Sequence, residues 1–273
     1  MKKYRKKVLN DKMKNVLQKC FSVISVIAAV VTLYSLIIAQ QQTKKLESLT
    51  REISTRSLGF SPNQFNEIIQ LINQSQEGDN ITIFNDVLGY GIYSSPDKFE
   101  EYLISIINAL DRNVNIDIFI YNHLLFKEIG MKQININSDS LKVKTLKDIK
   151  MEEKLFNRAF NRKINNNNKI INDISNFRNE TFFTSDVNMT IEEYYKKLDS
   201  LFSYMRSKLN DFKNCQIIAC NKEFPIFFWK LNMDKAIYSF PRKEGIDEIA
   251  FFSREINFLN YLSVIKQEMI NEF

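Results

Sequence analysis

The chain has 273 residues and a formal charge of +6, which taken alone points to a nucleic-acid or acidic-membrane partner. The excess is local. Residues 1–19 hold eight Lys or Arg against Asp11 alone, and after Lys19 there are 30 basic and 31 acidic residues. A near-neutral remainder removes the electrostatic case for nucleic acid, so no nucleic-acid partner is expected; three cysteines, the first being Cys20, exclude a disulfide framework.

The basic tail, residues 1–19, leads into Cys20 to Ala39, twenty residues without a charged side chain. At about 1.5 Å rise per residue this run matches the roughly 30 Å hydrocarbon core of a bilayer, which predicts a single transmembrane helix. The positive-inside rule then places the tail in the cytoplasm and the following domain outside it, in the cell membrane. The bilayer is the expected partner of Cys20–Ala39, and anionic headgroups that of the basic tail. A cleaved signal peptide ending at Ile37-Ile38-Ala39 is the alternative, although the run exceeds the roughly 7–15 apolar residues of a signal core. Gln40 to Leu58, with Leu46, Leu49 and Ile53 on one side, reads as a helical stalk within residues 40–60.

The domain, residues 61–273, opens at Ser61-Pro62, a cap with proline at the first helical position and Gln64 completing a capping box. Phe65, Ile68, Ile69 and Ile72 form the apolar face of that helix. Ile81–Asn85 alternates as a strand, an irregular segment runs to Ser95, and Ser95-Pro96 starts a helix carrying Phe99, Leu103, Ile106, Ile107 and Leu110. Asn115–Tyr121 is the next strand, so strand, helix and strand make a parallel unit with a right-handed crossover. Residues 131–186, with the Asn165–Asn168 tetrad, read as a polar insertion with loose segments, helical only in part from Met151 to Ile164. Thr190 and Glu193 form a capping box for a long amphipathic helix. Strand-like runs follow at 215–220, 226–231, 235–240 and 248–252, before a final helix from Ser253 to about Ile270. The expected fold class is α/β, a transmembrane helix followed by a mixed-sheet α/β sandwich.

The reactive inventory is thin. His123 is the single histidine, and there is no Gly-x-Ser-x-Gly elbow to pair with it. Metal-ligand spacings, paired cysteines and calcium loops are absent, so no metal or cofactor is expected. Gly89-Tyr90-Gly91 has Ser94 where a dinucleotide loop needs glycine and reads as a turn. Cys215 and Cys220, five apart on a strand, point to opposite faces and read as small buried residues.

The order of elements in Ile81–Tyr121 and Phe224–Met269 resembles a phospholipase D-like domain, whose first half is a βαβ unit and whose second half runs strand, strand, turn, strand, helix. Active members carry His-x-Lys, four residues, Asp, six residues and Gly-Ser. Over Phe224 to Ser239 the spacing is kept and the chemistry lost: Phe224 stands for the nucleophilic histidine, Ile226 for the lysine, Leu231 for the aspartate, and Tyr238-Ser239 for Gly-Ser. Neither phenylalanine nor isoleucine can form a phospho-enzyme or hold a phosphate. The resemblance therefore implies a degenerate member without catalytic residues.

In such a domain the former active-site cleft would be a ligand pocket or dimer surface, built from Asp86, Tyr90, Tyr93, Tyr121, His123, Trp229 and Ser239 at strand ends and the adjoining loop. The expected function is that of a tethered, non-catalytic sensor or assembly module binding a ligand, a protein or a second copy of itself. A hydrolase with a site around His123 and Asp86, and a membrane-acting effector or toxin component, are the alternatives.

Overall fold

A computed structural model of the chain describes residues 55–60, 64–92, 95–161, 167–240 and 249–271, together with helical positions 35, 38 and 40–42. The chain divides into Met1–Ile53 and Ser54–Phe273, and the fold below is that of the second unit.

Seven strands form one mixed sheet: β1 (Thr55–Phe60), β2 (Asn80–Phe84), β3 (Asn115–Tyr121), β4 (Cys215–Cys220), β5 (Phe227–Leu231), β6 (Lys235–Ser239) and β7 (Ile249–Ser253). Their order is β1-β7-β6-β5-β2-β3-β4. β2, β3 and β4 are parallel, and every other neighbouring pair is antiparallel. The helices are α1 (Gln64–Asn73), α2 (Pro96–Asp111), α3 (His123–Gln133), α4 (Glu153–Phe160), α5 (Lys169–Phe182), α6 (Ile191–Asn210) and α7 (Ile256–Asn271), with a 3-10 turn at Ser138–Lys142.

The alternation of side chains along each strand builds two cores. One face presents Ile81, Ile83, Ile116, Ile118, Ile120, Ile217, Trp229, Leu231 and Ile237 to helices α1, α2 and α6. Two successive parallel crossovers, from β2 to β3 and from β3 to β4, step the same way along the sheet, and the right-handed sense usual for such connections accounts for α2 and α6 sharing that face. The opposite face presents Phe84, Phe119, Tyr121, Ile226, Phe228 and Ala236 to Leu259, Leu262 and Ile265 of α7. Across β3, β2 and β5 the rings of Phe119, Phe84 and Phe228 stack in a row, with centroids 4.3 and 4.5 Å apart.

Helix boundaries follow local chemistry. Pro96 begins α2, and Asn113 takes the left-handed conformation (φ 61°) that turns the chain into β3. The Thr190 and Glu193 capping box begins α6, its two side chains each accepting the other's backbone N–H. Cys215 packs against the first core and Cys220 belongs to the second, on opposite faces of β4.

Three expectations change. Cys20–Ala39 lies outside the described residues apart from Ser35 and Ile38, and among the described residues no helix is long and apolar enough to cross a membrane. The transmembrane helix therefore leaves the fold class, and the single-pass membrane assignment goes with it. An apolar run reports composition, whereas a span needs about 20 continuous apolar helical residues; α6 has 20 residues and carries Glu192, Glu193, Lys196, Lys197 and Asp199. The basic tail also lies outside the described residues. Second, the end of the expected stalk is a strand: β1 pairs with β7, Arg56 opposite Phe252, with a bulge between Ser57 and Gly59. Third, the polar segment 131–186 carries α4 and α5 and buries Ile136, Leu141, Leu146, Phe156, Phe160, Ile171, Ile174 and Phe182. Asn168, from the asparagine tetrad, caps α5 by accepting the N–H groups of Ile170 and Ile171.

Candidate functional site

The C-terminal ends of parallel strands are where an open α/β sheet presents binding groups, because helices and loops diverge there. At the ends of β3 and β4 a cavity of about 210 Å³ opens, lined by Val87, Leu88, Ile120, Ala219 and residues of α3 and α6. Those helices meet at three levels. His123 Nδ1 lies 3.0 Å from Asp199 Oδ1, with both side chains partly exposed. Phe126 packs edge-on against Tyr195 and Phe202. At Gly130 an added Cβ would lie 2.0 Å from the Tyr195 hydroxyl, so glycine permits the close crossing of α3 over α6.

His123 owes its position to Asn122, whose N–H bonds the Cys220 carbonyl at 2.7 Å and whose side chain caps α3 by accepting the Leu125 N–H. From α6, Asp199, Phe202, Ser203 and Arg206 face the cavity, four and three residues apart on one side of the helix. The Arg206 guanidinium is anchored at the rim by donating to the Ile217 carbonyl at 3.2 Å. The cavity thus combines the Asp199 carboxylate, the His123 imidazole, the Arg206 guanidinium and the Ser203 hydroxyl with the aromatic residues Tyr121, Phe126 and Phe202.

Of the residues singled out from sequence, Tyr121 and His123 line this cavity. Asp86 neighbours it: its carboxylate accepts the Val87 N–H at 2.8 Å and its carbonyl accepts the Tyr121 N–H. Tyr90 is buried in the helix-side core, stacked on Phe65 at 5.0 Å, its hydroxyl accepting from Gln64 Nε2. Trp229 is fully buried and donates its indole N–H to the Tyr102 hydroxyl at 3.1 Å. Ser239 is buried at the end of β6, opposite Phe227. Tyr93 lies outside the described residues. Asp199, Ser203 and Arg206 sit on the polar side of an amphipathic helix; their spacing is legible in sequence, but charge on such a face is also ordinary solvation.

Phe224, Ile226 and Leu231, which the resemblance sets at catalytic positions, are packing residues. Phe224 lies against Phe84 and Tyr121, at 5.0 and 4.7 Å between ring centroids, and its N–H is bound by the Tyr121 hydroxyl. Burial, before the opposing Phe224 hydrogen bond, holds the Tyr121 hydroxyl well above the usual tyrosine range. Ile226 joins the same core, whereas Leu231 belongs to the core on the other face of the sheet. Among the described residues no group of three or more His, Cys, Asp or Glu side chains is placed to hold a metal ion.

No family model matches the chain, and no curated protein does. Among solved structures, TrmBL2, an archaeal chromatin protein described as showing a novel mode of DNA binding, aligns at a TM-score of 0.39 and 9% identity. The match covers 88% of this chain and 64% of that one, and likeness at this level carries no argument about function. The exclusion of nucleic acid is nonetheless withdrawn, as is the bilayer as partner of Cys20–Ala39. The physical premise of that exclusion fails, since a net charge near zero does not fix local charge: Arg56, Lys235 and Arg254 gather at one recess of this domain.

Proposed function

We propose that residues 54–273 form a non-catalytic domain of phospholipase D-like type that binds a small polar molecule in the cavity between His123, Asp199 and Arg206. One observation carries the reading: Phe224 and Ile226 are buried in the aromatic cluster on one face of the sheet and Leu231 in the core on the other, while an open cavity with mixed charge and aromatic walls lies at the strand ends. Its volume falls below the roughly 300–1,000 Å³ of drug-sized sites, which favours a metabolite with few heavy atoms and both donor and acceptor groups.

The test is a thermal-shift screen of the full chain against a panel of small polar metabolites. A ligand at about 100 times its dissociation constant stabilises by about 2.7 kcal/mol, an upward shift of about 5–11 °C for a domain of this size. Arg206→Gln and Asp199→Asn should remove the shift given by a positive compound. A shift that survives both substitutions places the ligand elsewhere and refutes the reading.

A hydrolase centred on His123 is the second reading, favoured by the 3.0 Å approach of Asp199 to the imidazole with Ser203 one turn further along α6. Turnover of phosphodiester or carboxylic ester substrates that vanishes in His123→Gln would establish it over the binding reading.

A further inference from the structure

A second recess lies at the opposite end of the sheet, between α1 and strands β1, β6 and β7. It has a volume of about 220 Å³ and is lined by Arg56, Glu67, Gln70, Gln74, Lys235, Phe252 and Arg254 among others. Sheet register assembles it. Arg56 on β1 stands opposite Phe252 on β7, and Arg254 follows two residues later on the same face. Ala236 stands opposite Ser253, and that register continued by one residue brings Lys235 beside Arg254. Both guanidiniums approach the Phe252 ring, at 5.4 and 5.5 Å from its centroid.

The recess is cationic beyond what the described neighbours compensate. Glu67 pairs with Arg56 at 3.0 Å. Lys235 is 9% exposed; its ammonium is held by the Gln74 amide oxygen, and its nearest carboxylate, the largely exposed Asp234, stands 3.8 Å away. Burying an ammonium against a neutral amide is costly, and like charges on adjacent strands repel. An oxyanion in the recess would relieve both, since guanidiniums bind phosphoryl oxygens through paired N–H donors and an ammonium binds them as a point charge.

We infer that this recess is a binding site for the phosphoryl group of a small ligand, separate from the cavity at His123. The experiment is isothermal titration of the full chain with inorganic phosphate and with glycerol 1-phosphate, at constant ionic strength. Saturable binding is expected, weakened about tenfold by Arg254→Gln or Lys235→Gln as a charge-assisted hydrogen bond is lost, and strengthened by Glu67→Gln, which frees Arg56. His123→Gln should leave it unchanged. The Arg254 side chain is exposed, so its variant should keep the parent's unfolding midpoint and report binding alone. Tighter saturation by the ester assigns the site to an organic phosphate, and equal saturation to the oxyanion itself. Absence of saturation, or equal affinity in Arg254→Gln and the parent, overturns the inference. So does binding confined to phosphatidate-containing phosphatidylcholine vesicles or to a DNA duplex.

Discussion

Introducing the phospholipase D-like catalytic residue types at the positions the resemblance assigns to them, by Phe224→His and Ile226→Lys, should destabilise the domain without producing an enzyme. Ile226 is 4% exposed and packs in the cluster of Phe84, Phe119, Phe228 and Leu262. An amine fixed in such a site has its pKa lowered by up to about 3–5 units. At about 1.36 kcal/mol per unit, keeping it charged at pH 7 costs up to about 4–7 kcal/mol, less whatever the side chain recovers by reaching water. Phe224→His adds an imidazole N–H among rings, worth about 1–3 kcal/mol if it finds no partner. The two residues share one cluster, so their effects should not add simply. Against a typical total of about 5–15 kcal/mol, Ile226→Lys alone removes a large fraction of the stability. Urea denaturation of the full chain measures this, and turnover of a chromogenic phosphodiester measures the chemistry. An Ile226→Lys variant within about 1 kcal/mol of the parent would show that the cluster is not the dry core described. A folded double variant with turnover would refute the claim that the site is filled.

Gly91 adopts φ +83°, and a Cβ there would lie 2.1 Å from Phe65 Cζ; Gly91→Ala should cost roughly 1–3 kcal/mol from backbone strain alone, with ring displacement in addition, read as a lowered urea midpoint. Lys230, in the second face of the sheet, donates to Ser263 Oγ at 2.5 Å, and burial, reinforced by Lys266, pushes its pKa below the usual lysine value. The unfolded chain then holds this proton at pH values where the native chain has released it, so stability should rise with pH through the window between the lowered native value and about 10.4. Lys230→Met should flatten that rise and stabilise the protein at pH 7; an unchanged slope between pH 8 and 10 would count against the assignment. Tyr102 and Tyr121, whose hydroxyls burial keeps protonated, oppose the trend above about pH 10, which fixes the upper end of the measurement.

Much of the domain is legible in sequence because its elements announce themselves locally. The strands at β2 to β7 alternate as the runs from Ile81 to Phe252 suggest, and Pro96 and the Thr190–Glu193 box begin their helices where capping chemistry requires. β1 was hidden because Thr55–Phe60 has no strand pattern of its own; it is extended by pairing with β7, a partner nearly 200 residues away. Of the helices of 131–186, α4 falls within the helical stretch read at Met151–Ile164, whereas α5 was hidden by polar composition, since few but large side chains, Phe156, Phe160 and Phe182, do the burying. Side-chain proximity is the part a linear reading lacks. His123 is conspicuous as the single histidine, but its partner is Asp199, 76 residues on, and not the expected Asp86.

The contact of Arg206 with Ile217 bears on how the domain stays apart from its own copies. β4 closes one side of the sheet, and β3 draws on alternate carbonyls beside it, Asn214 bonding the Ile116 N–H and Cys220 the Asn122 N–H. That alternation turns the Ile217 carbonyl outward, onto a strand edge that no described strand pairs and that invites a further strand from another chain. A guanidinium laid across it occupies the acceptor and sets a positive charge where such a strand would dock. Arg206 is therefore placed to oppose edge-to-edge pairing as well as to line the cavity, and Arg206→Gln should raise light scattering relative to the parent.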